Sequence, residues 1–228
     1  MLREVAFARE YGGLIKQIGS NRTVVELGTG DGSLARYLVG RGCRVAACDV
    51  FPASQWAHAD IPYHAADLNN MSPDVLEGRD AVLMRHVLEH VHHPARLIDD
   101  FRKCGVAYVH LLVPNAASPF VGLFGNDWCS WDPPRHLQFF EPHTLDRLLD
   151  AHGYRLESVT DHGIDELVVS LFRRRMSEWQ RTKSPAEHSP EQALWFKLLQ
   201  PKGVLCTVSA ALSSPFVSSV LSRLYVRR

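Results

Sequence analysis

The 228-residue chain lacks a net charge, a paired-cysteine motif and an apolar run of membrane-spanning length. Each absence removes a class of function. Lysine plus arginine and aspartate plus glutamate number 25 each, so the molecule as a whole has no electrostatic bias towards nucleic acid, which is left out of the expected partners. The five cysteines, Cys43, Cys48, Cys104, Cys129 and Cys206, are odd in number and form no C-x-x-C. That argues against both a disulfide framework and a zinc knuckle. The uncharged stretch Val204 to Leu221 contains five serines, a threonine and Pro215, which is poor material for a spanning helix. "MLREVAFARE" carries charges throughout and no apolar stretch of signal-peptide length, so the cytoplasm is the expected compartment. No internal repeat is visible.

What is present alternates. Residues 2–19 read as a helix, and strand-like runs recur at Thr23–Leu27, Arg44–Cys48, Ile61–Ala65, Ala81–Met84 and Val106–Val113. Between them lie helical stretches such as Ser33–Leu38 and Pro94–Cys104, and a helix Glu141–His152 and a strand Arg155–Thr160 follow. Strand, helix, strand at this interval predicts an α/β fold: a doubly wound, mostly parallel sheet with crossover helices on both faces. Ligands of such a sheet sit beyond the C-terminal strand ends. Residues 1–163 form the expected core, including a lid loop over 114–141 that is rich in proline, glycine and aromatic side chains; loops of that length are usually functional. Residues 164–228 form a helical C-terminal insert or cap, with "SSVLSRLYVRR" as a closing edge strand, the last of the sheet. The segment "ELVVSLFRRR", around 166–173, reads equally as strand or amphipathic helix.

"VVELGTGDGSLARYL" stops an apolar run at a glycine turn and restarts as a helix. Gly28, Gly30 and Gly32, with Thr29 among them, let the backbone bend sharply and approach a ligand. A dinucleotide fingerprint wants a further glycine where Ser33 stands, so the pattern departs from it. Asp49, followed by Val50, closes the second strand, where a carboxylate can accept both ribose hydroxyls of an adenosine-containing ligand. Asp67, with Leu68 after it, lies on the same sheet edge, either to accept from an adenine amino group or to cap a turn.

Glu26, the three glycines, Asp49, Asp67 and "DAVLMRHVLEHVHHP" occur in an order and spacing that resemble the class I S-adenosylmethionine-dependent methyltransferases over about residues 20–165. The resemblance implies a seven-stranded Rossmann-like fold and S-adenosylmethionine as cofactor. It implies that Glu26 with Gly28, Thr29, Gly30 and Gly32 holds the methionine part, Asp49 and Val50 the ribose end, and Asp67 with Leu68 the adenine. Arg85 and His86 then line the methyl-transfer site. An acid beside a glycine turn suits an ammonium and a sulfonium better than a pyrophosphate. A nicotinamide oxidoreductase and a cofactor-binding but non-catalytic subunit are the alternatives.

"HVLEH", His86 to His90, also matches H-x-x-E-H, in which two histidines on one helix face bind zinc. The family resemblance explains the same letters as the turn and helix after strand four, so no metal is expected. His92 and His93 read as exposed residues ahead of Pro94, a first-turn proline. "DPPRHLQFFEPHTL" resembles a segment of small bacterial methyltransferases, several of which modify sugars or lipid-linked glycans. A small-molecule or glycan-like acceptor methylated at oxygen is therefore expected. His136 is the candidate base, since a neutral imidazole can take a hydroxyl proton; fixing the loop by hydrogen bonds is the competing role. His90, Trp131, Asp132 and Arg135 are candidate acceptor contacts.

The charge is unevenly shared: residues 1–165 carry 15 basic and 21 acidic side chains, and residues 166–228 carry 10 and 4. The tail sets "LFRRRMSEW" and "LWFKLLQPKG" beside one another in composition, basic and aromatic together. It reads as a packed cap with a solvated basic face or as a peripheral contact with anionic lipid at the inner face of the membrane.

Overall fold

The computed structural model describes residues 2–161, 170 and 218–228. After helix α1 (Leu2–Ile18) the chain alternates through β1 (Thr23–Leu27), α2 (Ser33–Val39), β2 (Arg44–Asp49), β3 (Tyr63–Ala65), β4 (Ala81–Arg85), α3 (Pro94–Lys103) and β5 (Tyr108–Pro114). Helices α4 (Pro119–Phe124) and α5 (Pro142–Ala151) and strands β6 (Tyr154–Val159) and β7 (Val220–Arg227) complete it. The seven strands form one sheet in the order β3-β2-β1-β4-β5-β7-β6.

β1 is buried along almost its whole length because helices cover both faces of the sheet. Val24 faces a cluster with Ile18 of α1 and Leu34 and Leu38 of α2. Val25 and Leu27 face the other cluster, with Leu97, Ile98 and Phe101 of α3 and Leu145 and Leu149 of α5. Because β1 pairs with β2 on one side and β4 on the other, strand order reverses between β1 and β4. That reversal opens a crevice at their C-terminal ends, where the glycine turn and the residues after Arg85 both lie.

The expected edge position of β7 needs correction. β7 is the last strand of the chain, but it lies inside the sheet, antiparallel to both β5 and β6, so the sheet is mixed and β6 is the edge. The reason is compositional: six successive residues from Val220 to Tyr225 are buried, whereas β6 exposes Arg155, Leu156 and Glu157. A charged, half-polar strand suits an edge. Arg223 at the interior of β7 is only 7% exposed and donates to Asp146 Oδ2 of α5 at 2.6 Å and Asp161 Oδ2 at 3.0 Å. Arg223→Leu leaves two carboxylates without their counter-charge. Breaking a buried pair costs about 3–5 kcal/mol, and the 32% exposure of Asp146 brings the expected loss to about 2 kcal/mol by urea unfolding. A loss below about 0.5 kcal/mol would show the pair to be solvent-screened.

The insert expected over 164–217, including the strand-or-helix alternative at 166–173 and the basic lipid-facing surface, lies outside the described residues apart from Ser170. Among the described residues no helix is long and apolar enough to cross a membrane.

Candidate functional site

The glycine turn is tied to the ends of β1 and β2 by backbone bonds. Gly28 N–H and Thr29 N–H both donate to Cys48 O, at 2.8 and 3.1 Å. Gly28 has φ +75°, and a Cβ there would stand 2.2 Å from Val87 Cγ2, so only glycine lets the turn lie against the loop after β4. Gly30, at φ +55°, faces open space instead. Its N–H donates to Asp49 Oδ2 at 2.8 Å, and Val50 N–H donates to Asp49 Oδ1 at 2.7 Å. Two N–H donors leave an ionised carboxylate about two further acceptor positions.

Val50 and Phe51 stand beside it at 62% and 52% exposure, apolar faces suited to a purine ring. Phe51 was missed in the sequence because a single aromatic after a strand carries no periodic signal. Ala66 N–H donates to Asp49 O at 2.8 Å, which sets Asp67 close by on the same edge. Asp67 Oδ1 accepts from Asn69 N and Nδ2, both at 2.9 Å, so the capping role is realised, while Asp67 itself stays exposed. Leu68 packs against the core.

Glu26 lies beneath the turn rather than at its mouth. Its Oε2 accepts from Thr29 Oγ1 at 2.8 Å. Burial pushes its carboxyl up to about 8 from the ordinary 4.5, against the opposing pull of Thr29, the Ala35 N–H and the Arg85 charge. The folded chain thus holds this proton more tightly than the unfolded chain does. This group's contribution to stability is fully present below about pH 4.5 and is lost as pH rises towards about 8. A cationic ligand above Glu26 favours the ionised form, so binding releases a proton and tightens as pH rises to about 8. Calorimetric titration of S-adenosylhomocysteine across that range, in buffers of differing ionisation enthalpy, is expected to show this rise, and Glu26→Gln is expected to flatten it. An equal slope in both proteins would assign the proton to the ligand's own amine.

After β4 the chain turns sharply: His86 has φ +53°, and only Leu88–His90 forms a single 3-10 turn before α3. The expected helix after strand four is therefore this one turn, and His86 and His90 do not share a helix face. His92 and His93 are exposed, and Pro94 sits in the first turn of α3, as expected.

The lid folds around its own small core of Phe120, Phe124 and Trp128, with Trp131 packed edge-on against Trp128 and Phe139. Its far end is clamped to the turn after β4. Leu137 N–H and Gln138 N–H donate to Glu89 O, and His90 Nδ1 bonds Arg135 O at 2.8 Å. Asp132 and Arg135 pair with each other on the lid. His136 Nδ1 bonds Ser130 O at 2.8 Å, and its ring lies 4.7 Å from that of His90. The structure therefore gathers Glu26, the glycines, Asp49 and Val50 on one side of the Val87 contact. It gathers His86, Glu89, His90 and His136 on the other.

A family model described as a methyltransferase domain matches residues 2–159. The chain belongs to that family. With the sheet order and the glycine turn above, it is a class I, S-adenosylmethionine-dependent methyltransferase. No curated protein matches this methyltransferase in sequence. Its fold is shared with solved structures of low identity. Burkholderia thailandensis 1,6-didemethyltoxoflavin-N1-methyltransferase, solved with 1,6-didemethyltoxoflavin and S-adenosylhomocysteine, is 14% identical with TM-score 0.56, over 98% of this chain and 79% of that one. A SAM-dependent methyltransferase from Archaeoglobus fulgidus is 14% identical with TM-score 0.61, over 99% and 94%. Magnesium protoporphyrin IX methyltransferase from Synechocystis PCC 6803, solved with S-adenosylhomocysteine, is 13% identical with TM-score 0.60, over 99% and 84%.

Proposed function

We propose that this methyltransferase transfers a methyl group to a hydroxyl oxygen of a small or glycan-like acceptor bound under the lid. The cofactor supplies an electrophilic methyl on a sulfonium. The chain's part is to bind, orient and receive a proton. The turn fits such a cofactor because its open side at Gly30 is bordered by the acid Asp49 and by apolar Val50 and Phe51, with Glu26 buried beneath it. In this reading Asp49 accepts the ribose hydroxyls, Asp67 and Leu68 border the adenine, and Arg85 and His86 sit beside the transfer point.

The observation that carries the oxygen-acceptor reading is the state of His136. A carbonyl oxygen only accepts, so Nδ1 is the donor in the bond to Ser130 O, and a neutral imidazole that donates from Nδ1 has its lone pair on Nε2. As the acceptor's O–C bond forms and the C–S bond breaks with its electron pair on sulfur, that lone pair can take the hydroxyl proton. Exposed Leu137 and Phe139, with Trp131 behind Phe139, give the lid an apolar surface against which a sugar ring or lipid-linked glycan can lie. We carry the expected division into this proposal: residues 1–163 hold the reaction, and β7, from the remainder of the chain, completes the sheet.

An acceptor screen with methyl-labelled cofactor tests this. Label is expected in hydroxylated sugars and glycolipids and not in their O-blocked analogues. Label only in amines or carboxylates would overturn the oxygen assignment.

A further inference from the structure

We propose that Glu89, His90 and His136 form a binding site for one first-row divalent transition-metal ion at the acceptor side of the crevice. One ligand atom from each residue lies within 4.8 Å of the other two. Three independent features set this cluster apart from a chance meeting of polar side chains.

The first is Glu89. It is 1% exposed, and neither carboxylate oxygen has a hydrogen-bond partner among the described residues. His86 Nδ1 lies 3.5 Å from Oε1. A buried acid left unsatisfied in this way is costly, and a cation removes the cost. The second is the histidine pair. Both Nδ1 atoms meet backbone carbonyls, of Arg135 and Ser130, each at 2.8 Å, so both rings are held in place, and a neutral ring that donates from Nδ1 keeps its lone pair on Nε2. Metal-ligating histidines are held in this way, with the second ring nitrogen donating to a carbonyl or carboxylate. The third is the clamp: Leu137 N–H and Gln138 N–H on Glu89 O fix the lid half of the site to the strand half.

Two imidazoles and one carboxylate favour Mn²⁺, Fe²⁺, Co²⁺ or Zn²⁺ over Ca²⁺ or Mg²⁺, and three protein ligands leave positions for oxygen ligands from outside. The proposal rests on the acceptor-side reading above, with His136 facing that space, and replaces its role there as the proton acceptor. With an ion held there His136 is a ligand, and the acceptor's hydroxyl proton passes to solvent water as the C–S bond breaks with its electron pair on sulfur.

The test measures binding directly, apart from methyl transfer. Mn²⁺ is titrated into chelator-treated full-length protein and followed by the loss of its free electron paramagnetic resonance signal, a probe for which the cysteine thiols compete poorly. One Mn²⁺ per chain, displaced by one equivalent of Zn²⁺, is expected. Glu89→Gln and His90→Ala are each expected to weaken it by at least about tenfold. Glu89→Gln is also expected to keep or raise the melting temperature of the metal-free protein, since it removes a buried unpartnered acid, and to abolish the rise that Zn²⁺ produces in the native chain. No binding by the native chain, or equal binding by both variants, would overturn the site. The acceptor screen reads the oxygen assignment separately, so either reading can fail alone.

Discussion

Asp49→Ala is expected to weaken S-adenosylhomocysteine binding by about a hundredfold, measured by calorimetry on protein that still melts cooperatively. The carboxylate has two tasks that alanine cannot perform. It accepts from Gly30 N–H and Val50 N–H and so holds the glycine turn against the end of β2. Hydrogen bonds to a charged group contribute about 1.5–3 kcal/mol each, and the crevice loses both together with the remaining acceptor positions that face a ribose. Asp49→Asn is expected to fall between, because its amide oxygen can still accept one N–H while its NH₂ opposes the other. Unchanged affinity in Asp49→Ala would remove the residue from the cofactor site.

The reading of the fold from sequence succeeded where strands are continuous apolar runs. β1 was legible to the residue, and β2, β4 and β5 to within two, because burial on both faces leaves few polar interruptions. The place of β7 was not legible. Its pairing with β5 and β6 joins segments more than sixty residues apart, and nothing local encodes which neighbours a returning strand will find. One cue was present: "VLSRLYV" is more apolar than "YRLESV", and of two terminal strands the more polar one belongs at the edge.

The candidate site divides along the same line. The glycine turn after β1, Asp49 at the end of β2 and the turn-capping Asp67 were legible as strand-end features, because turns there call for those residue types within a few positions. The grouping of Glu89 and His90 with His136 was not, since it depends on the lid returning across more than forty residues to the turn after β4. The H-x-x-E-H letters include two of the three residues that meet here, but not in the geometry the pattern requires. A helix would pair His86 with His90, whereas the positive φ of His86 and the single 3-10 turn swing His90 towards the lid.

His136→Ala is expected to slow methyl transfer by about a hundredfold or more while cofactor affinity stays within about twofold. Its hydrogen bond and ring contact are with Ser130 O and His90, neither of which belongs to the glycine turn. Loop fixing predicts a different pattern across substitutions. Asparagine can place its NH₂ where Nδ1 stands and keep the bond to Ser130 O, but it brings no basic lone pair. If the residue only fixes the lid, His136→Asn restores most of the rate; if Nε2 acts, it is as slow as alanine. Glu89→Gln then separates the two ways in which Nε2 can act. A base works without Glu89, so the substitution leaves a His136-dependent rate that chelator does not touch. A metal ligand does not, so Glu89→Gln, His136→Ala and chelation of the native chain converge on one residual rate, and combining them costs little more than any one alone.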